Sequence, residues 1–110
     1  MNIVRTNSED AEQIAAIVSE ANKDVAVQFN LNFENSPKHP SFCTKDWILA
    51  DQERGEEYFL CNIASVPAAC VAFEQPDPDT AYLNRLSVLS EYRRQGIGAA
   101  LVKHIIEYSR

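Results

Sequence analysis

Two glycines near the C-terminal end of the chain, Gly96 and Gly98, could bring the backbone close to an anion. Two arginines, Arg93 and Arg94, come shortly before them, and an apolar segment follows. A helix that starts here has unpaired backbone N–H groups and a partial positive charge in its first turn. Such a helix end binds phosphate, and glycines allow the backbone to approach the anion closely and to take up positive φ. These residues therefore predict a phosphate-binding loop.

The segments on either side of this loop predict a strand before it and a helix after it. Residues 83–89 form a short apolar run that is typical of a strand. Lys103, Glu107 and Arg110 are expected on the polar face of the helix. The chain has only three glycines and two lie in this turn, so we favour a functional loop, although an ordinary strand-to-helix turn remains the alternative. The apolar stripe of the helix consists of Ile97, Leu101, Ile105 and Tyr108, with Val102 and Ile106 beside it.

The loop does not match two common phosphate-binding motifs, but it matches a third. A P-loop needs a Gly-Lys-Ser/Thr end, which is absent, and Leu101 stands where the dinucleotide fingerprint needs a third glycine. The pattern Arg93-x-x-Gly96-x-Gly98, which follows Leu86-x-Val88, resembles the acetyl-CoA signature of the GNAT superfamily of N-acetyltransferases. The resemblance extends upstream through residues 82–88 and, more weakly, to the start of the chain.

The resemblance implies that acetyl-CoA is the cofactor and that its pyrophosphate binds at the loop. It also implies that the backbone of residues 86–88 holds the pantetheine arm and polarises the thioester carbonyl. The cofactor-binding residues expected on this basis are Leu86, Ser87, Val88, Arg93, Arg94, Gln95, Gly96, Ile97, Gly98 and Ala99.

Length and composition indicate one soluble domain that spans residues 1–110. Hydrophobic residues make up 45% of the chain, and no apolar run approaches the length of a membrane span. The N-terminus lacks the apolar segment of a secretory signal, so we expect a cytoplasmic protein. The three cysteines, Cys43, Cys61 and Cys70, are odd in number and have no zinc-site spacing with histidine. We therefore expect neither a disulfide framework nor a metal site.

The charge distribution bears on the partners of the protein. The net charge is −6, which argues against binding to nucleic acid. Residues 85–110 nevertheless hold five arginine or lysine side chains against two glutamates. A basic segment within an acidic body suits an anionic cofactor. The acidic part suits a cationic acceptor, although a simple solvated surface is the alternative that we favour for it.

Hydrophobic periodicity and turn residues predict an α/β (α+β) fold with a mainly antiparallel sheet, similar to the N-terminal part of the GNAT fold. The first helix is expected to run to about Asp24, with a continuation to Phe29 as the alternative. The link at residues 64–67 lacks the Asn-Gly or Asp-Gly of tight hairpins, which predicts a poorer turn. The expected elements are a strand at 2–5, two helices at about 11–24 and 45–54, strands at 57–63, 68–74 and 80–89, and a helix that begins near 97.

The resemblance also indicates what this chain lacks. The family fold continues with a further strand, a helix and usually two more strands, so the domain is expected to be truncated after its last helix. A glutamate common in the family two residues before the Leu-x-Val run is Asn84 here, and Asn cannot accept a proton from an ammonium group. The nearest surviving carboxylate is expected to be Glu74, a weak catalytic candidate whose alternative is an exposed residue at a strand end.

Three classes of function follow from these features. The first is an acetyltransferase that moves the acetyl group of acetyl-CoA to an amine. The second is a CoA-binding or regulatory module with little or no catalysis. The third is a fragment that folds by assembling with a partner, and the apolar strand at 80–89 together with the last helix predicts a homodimer. The sequence identifies neither the acceptor amine nor the general acid and base.

Overall fold

Four antiparallel strands form one sheet in the order β1-β2-β3-β4, and four helices pack on it in the computed structural model, which describes residues 1–109. None of the helices in this range is long and apolar enough to cross a membrane. The strands are β1 (Asn2–Arg5), β2 (Glu57–Ile63), β3 (Val66–Asp77) and β4 (Thr80–Val88), and the helices are α1 (Ala11–Ala21), α2 (Lys23–Gln28), α3 (Lys45–Glu53) and α4 (Ile97–Tyr108).

The predicted fold class and the predicted strands are confirmed, with two differences in detail. The first helix does not run on to Asp24, because Asn22 separates α1 from α2 (φ −105°, ψ 2°) and its side-chain amide donates to the Val18 carbonyl at 2.7 Å. Strand β3 is longer than expected at both ends, because tight turns at 64–65 and 78–79 join it directly to its neighbours. Arg110, which was expected on the polar face of α4, lies outside the described residues.

The sheet separates two apolar clusters, and strand alternation decides which side chains enter each. Tyr58, Leu60, Cys70 and Ala72 face α1 and α3, where they pack on residues such as Ile14, Val18 and Ile48. The alternate positions, among them Phe59, Val71 and Phe73, face α4 and contact its stripe of Ile97, Leu101 and Ile105. Tyr108 closes the end of the second cluster, because its ring meets Phe59 edge-on at 5.1 Å and its hydroxyl donates to Glu57 at 3.0 Å.

Strand β4 is the edge of the sheet within the described residues, because it pairs only with β3. Three of its large apolar side chains are substantially exposed: Tyr82 (52%), Leu83 (40%) and Leu86 (48%). This agrees with the sequence-based expectation of an apolar edge at residues 82–89. An uncovered apolar edge is a surface that another strand can pair with.

The hairpin between β2 and β3 turns at Ala64 and Ser65, and its backbone is strained. Ile63 pairs with Val66, so the loop has two residues, and both have positive φ (50° and 67°). Positive φ at both positions defines a type I′ turn, for which Asn-Gly is the preferred sequence. Ala64 and Ser65 both disfavour positive φ, so the structure agrees with the poor turn that the sequence predicts.

We predict that the double variant A64N/S65G is more stable than the wild type. The left-handed conformation costs a residue with a Cβ atom about 1–2 kcal/mol, and Asn and Gly tolerate it better. The free energy of unfolding, measured by urea denaturation, should therefore rise by about 1–2 kcal/mol. Ser36→Gly, at a loop position outside the positive-φ set, is the matched control and should bring no gain. An unchanged unfolding midpoint in the double variant would contradict the assigned turn geometry.

Candidate functional site

The loop between β4 and α4 reverses the chain through two residues in the left-handed region. A short 3-10 turn at Ser90–Tyr92 follows the strand, and Arg94 (φ 66°) and Gly96 (φ 76°) then turn the chain into the helix. Gly96 is the N-cap of α4. Positive φ at this junction suits glycine, whereas Arg94 adopts it against the preference of an L-residue.

The first turn of α4 presents backbone donors that the protein itself does not use. The first hydrogen bond of the helix runs from the Ala100 N–H to the Gly96 carbonyl at 3.0 Å. Within residues 1–109, the N–H groups of Gly96, Ile97, Gly98 and Ala99 have no acceptor in the protein. Gly96 and Ala99 are solvent-exposed. The geometry is therefore that of a helix end open to an anion.

The two glycines of the loop have different roles. Gly96 takes up the positive φ that glycine allows, whereas Gly98 is an ordinary helical residue in the first turn of α4. A Cβ atom at Gly98 would meet only the Cδ2 atom of Leu86, at 3.8 Å, which is normal van der Waals contact. The fold therefore does not require glycine at position 98. Because Gly98 has no side chain, an anion can approach the unpaired N–H groups at the start of α4 more closely.

A groove of about 380 Å³ runs beside the loop, between the end of β4 and the kink that joins α1 to α2. Leu86 is half exposed at this groove, whereas Ser87 is buried and its hydroxyl donates to the Arg85 carbonyl at 3.0 Å. Four of the ten candidate residues line this groove, three from the edge strand and one, Arg93, from the loop. The lining residues are Ala21, Asn22, Asp24, Val25, Leu86, Ser87, Val88 and Arg93.

The side chains of the two arginines point to different partners. The guanidinium of Arg93 donates to the carbonyls of Val88 and Ala21 and to the carboxylate of Asp24 at 2.7 Å. The hydrogen bond from Arg93 lowers the pKa of Asp24 below its usual value. Arg94 is exposed and takes part in none of the ion pairs formed within residues 1–109. The sequence placed both arginines at the anion, but only Arg94 has a guanidinium that the fold leaves available.

Strand β4 carries a bulge that the sequence did not indicate. Asn84 pairs with Ala72 and Ser87 with Cys70, so two residues, Arg85 and Leu86, lie opposite one residue of β3. Arg85 has positive φ (53°), as the first residue of such a bulge can. The bulge redirects the side chains on both sides of it just before the groove.

A buried carboxylate, Asp51 on α3, holds this bulge in place. Only 2% of Asp51 is exposed, and it accepts hydrogen bonds from the Tyr58 hydroxyl (2.5 Å), from Nε of Arg85 (2.9 Å) and from Arg54. Burial would raise the pKa of Asp51, but the hydrogen bonds from Tyr58 and Arg85 outweigh burial and the pKa is lowered. Arg85 also lies over the Trp47 ring at 5.5 Å. The Asp51 carboxylate is therefore ionised and connects one helix to two strands.

A second carboxyl group, Glu56, lies beside this cluster in a different electrostatic environment. Its Oε1 atom accepts a hydrogen bond from the Asn84 side chain at 2.8 Å, and the residue is almost fully buried. Burial, together with the nearby charges of Asp51 and Glu74, raises the pKa of Glu56 above its usual value. The residues Asp51, Arg54, Glu56, Glu74, Asn84 and Arg85 line a polar cavity of about 390 Å³.

The expectation that Glu74 is the carboxylate nearest to Asn84 is wrong. Glu56 contacts Asn84 directly, whereas Glu74 lies on the neighbouring strand at the edge of the same cavity. Sequence reasoning missed Glu56 because it precedes a strand and contacts β4 only through the fold. A weak signal did exist for Asp51, because it lies three residues after the buried Ile48 and therefore on the inner face of α3.

The cysteines do not belong to a reactive site. Burial raises the pKa of the Cys43 thiol to about 11 and that of Cys70 to about 12, so both are protonated at neutral pH. The third, Cys61, is also buried. Histidine, cysteine and acidic side chains do not form a group of three that could hold a metal ion anywhere in residues 1–109.

Comparison with protein-family models identifies the chain. Residues 18–110 match the model of the acetyltransferase (GNAT) family. The chain belongs to the GNAT family of acetyltransferases. A search of curated protein sequences finds no significant match.

Solved GNAT structures share the fold but are longer and distant in sequence. The ribosomal-protein-S18-alanine N-acetyltransferase of Escherichia coli is 21% identical (TM-score 0.71) and covers 98% of this chain, which spans 58% of that protein. An acetyltransferase of Staphylococcus aureus is 19% identical (TM-score 0.66), and the match covers 98% of this chain and 64% of that protein. A Brucella melitensis acetyltransferase in complex with acetyl-CoA is 17% identical (TM-score 0.70), and the match covers 99% of this chain and 68% of that protein. The chain therefore spans less than two thirds of the first two proteins.

We predict that alanine substitutions separate the two glycines of the loop. Gly96→Ala should lower the free energy of unfolding by about 1–2 kcal/mol, because the left-handed N-cap position disfavours a Cβ atom. Gly98→Ala should leave the stability unchanged or slightly higher, because alanine is the better helix former and the contact with Leu86 is normal. Gly98→Val should weaken CoA binding, measured by calorimetry, since a branched side chain in the first turn obstructs the approach of an anion to the unpaired N–H groups. Equal CoA affinity of Gly98→Val and wild type would contradict this placement.

Proposed function

We propose that this protein binds acetyl-CoA at the β4–α4 loop and transfers the acetyl group to an amine. The observation that carries the proposal is the set of four unpaired N–H groups at the start of α4, beside the available guanidinium of Arg94. Forked donors and helix N-termini both favour phosphate oxygens. The binding of acetyl-CoA by a structurally similar Brucella protein supports the same ligand here.

In the proposed complex, the groove beside the loop takes the pantetheine arm of the cofactor. The pyrophosphate binds the N–H groups of residues 95–99, with the Arg94 guanidinium beside it. The arm then follows the backbone of residues 86–88, which lies at the open edge of the sheet. Backbone groups in this position polarise the thioester carbonyl. In this complex the three candidate residues of β4 and those of the loop all lie beside the cofactor, and only the side chain of Arg93 is directed elsewhere.

The proposed reaction is a direct attack of a neutral amine on the thioester. The amine nitrogen forms a bond to the acetyl carbon, the carbon–sulfur bond breaks, and the CoA thiolate leaves and takes up a proton. The amine loses one proton to a general base in this process. The acceptor is an amine of unidentified structure, and a primary amine fits the polar character of the cavity beside Asn84.

We propose Glu56, rather than the sequence candidate Glu74, as this general base. Glu56 contacts the strand that carries the cofactor groove, it is held by Asn84, and it lines the polar cavity. Its raised pKa brings it closer to neutral pH than an ordinary carboxylate, which improves a general base. Glu74 lines the same cavity from β3, where it pairs with Tyr82 rather than with Asn84.

We predict that Glu56→Gln lowers acetyl transfer by a factor of about 10²–10⁴. The measurement is transfer from labelled acetyl-CoA to a panel of primary amines, with Glu74→Gln as the matched control. Glu56→Gln should remain folded, because a raised folded-state pKa favours folding at low pH and this contribution is lost as the pH rises through it. Removing the charge therefore keeps or increases the free energy of unfolding at neutral pH. A larger loss of rate in Glu74→Gln would contradict the assignment.

A CoA-binding module with little or no catalysis is the second candidate, and Asn84 is the observation that favours it. The side chain that faces the cavity from β4 is an amide that cannot take a proton. The two candidates differ in one measurement. Calorimetric CoA binding without acetyl transfer to any amine of the panel would support the module, whereas measurable transfer supports the enzyme.

We also propose that the protein forms a homodimer in the cytoplasm. The exposed apolar side chains of β4 and the exposed Ile106 of α4 support a self-association surface. Three buried free thiols suit a reducing compartment. The partner in the assembly is a second copy that places β4, α4 or both around a two-fold axis.

We predict that Leu86→Lys disrupts this dimer, because it places a charge in the middle of the edge strand. Light scattering at micromolar concentration should give twice the 12.4 kDa chain mass for the wild type and a single chain mass for the variant. Val27→Lys is the matched control, since Val27 is equally apolar, 81% exposed and located on α2. A folded wild-type protein with the mass of one chain would contradict the dimer.

A further inference from the structure

Arg93 belongs to the loop by sequence, but its guanidinium is fully directed towards the protein. Its Nε atom donates to the Val88 carbonyl at 3.1 Å, its Nη2 atom to the Ala21 carbonyl, and its Nη1 atom to Asp24 at 2.7 Å. Every nitrogen of the side chain therefore has a protein acceptor. The Arg93 guanidinium therefore holds the loop against the neighbouring helices, and its main donor directions are already occupied.

The acceptors of Arg93 lie on both sides of the groove. Val88 ends β4, which forms one wall. Ala21 ends α1 and Asp24 lies in the first turn of α2, so both flank the kink at Asn22 that forms the other wall. The arginine thus spans the groove of about 380 Å³ at the end nearest the loop. Arg93 therefore links the two walls through hydrogen bonds of a single side chain.

The charge of Asp24 matters because the loop is proposed to bind an anion. Arg93 neutralises Asp24, so the carboxylate does not repel phosphate while the pair is intact. The two side chains are 39% and 59% exposed, and an ion pair of this kind contributes little to global stability. Removing the ion pair should therefore change the shape of the groove and its affinity for the ligand more than the free energy of unfolding.

We propose that Asp24 is a positioning residue for the cofactor: through Arg93 it clamps the α1–α2 kink to the end of β4 and sets the width of the pantetheine groove, while Arg94 is the arginine that faces the phosphates. This inference rests on the proposed binding of CoA. It assigns different tasks to the two adjacent arginines, and it gives a residue 69 positions upstream of Arg93 a role in the cofactor site.

The test compares two ligands that share a pyrophosphate. CoA carries the pantetheine arm and ADP does not, and calorimetry measures both affinities for the wild type and for Asp24→Asn. Glu20→Gln is the matched control, because it removes one nearby negative charge at the end of α1, where Glu20 pairs with the exposed Lys23. Relative to this control, Asp24→Asn should weaken CoA about tenfold, the order expected for one charge-assisted bond, and leave ADP unchanged.

The double variant R93A/D24N sharpens the test. Arg93→Ala leaves the Asp24 carboxylate unpaired beside the anion, so this single variant should bind CoA more weakly than the double variant does. Tighter binding of both CoA and ADP by Asp24→Asn would overturn the inference, because Asp24 would then merely keep Arg93 away from the phosphates. Equal CoA affinities of Asp24→Asn and Glu20→Gln would overturn it as well.

A measurement without ligand separates this inference from the proposed function. Hydrogen exchange of the amides at residues 22–28 should be faster in Asp24→Asn than in Glu20→Gln, because the clamp no longer holds the kink. Equal exchange in the two variants would overturn the clamp whatever the CoA data show. A wild-type protein that fails to bind CoA would overturn the proposed function, while the exchange data would still decide whether the clamp exists.

Discussion

The buried carboxylate of Asp51 is the interaction on which the rest of the site depends. A nearly inaccessible charge is tolerated only with good partners, and Asp51 has three, from α3, β2 and β4. Because Arg85 is one of them, the same carboxylate fixes the bulge at which β4 changes its side-chain alternation. The position of the following residues, and hence of the groove proposed to bind the cofactor, is set by this bulge.

The proposed functional site consists of two regions that lie on opposite sides of the bulge. After the bulge, the strand leads into the groove and the loop, where the unpaired N–H groups of α4 and Arg94 offer donors to an anion. Before the bulge, Asn84 and Glu56 line a polar cavity in which one carboxyl group, Asp51, has a lowered pKa and another, Glu56, a raised one. Environments that separate two carboxyl pKa values in this way are typical of acid–base sites. One short strand thus joins the region proposed to bind the anion to the region proposed to accept the proton.

Local sequence patterns predicted the parts of this arrangement that depend on local physics. The strands, the stripe of α4 and the glycine at its N-cap follow from periodicity and backbone preference, and the structure agrees. The partners of Arg93 and the contact between Glu56 and Asn84 join residues that are far apart in the chain, and no periodicity encodes them. The bulge was hidden for a related reason. Arg85, which has positive φ, contacts Asp51 and Trp47 on another element, and local sequence does not encode these contacts.

The central claim is that the start of α4 binds the pyrophosphate of CoA, and an NMR titration tests it most directly. Backbone amide shifts of the ¹⁵N-labelled protein would be followed while CoA is added. The account predicts that the largest shifts, to lower field as expected for new hydrogen bonds, occur at Gly96, Ile97, Gly98 and Ala99. Saturating CoA that leaves these four amides unchanged, or that shifts another part of the chain instead, would contradict the account.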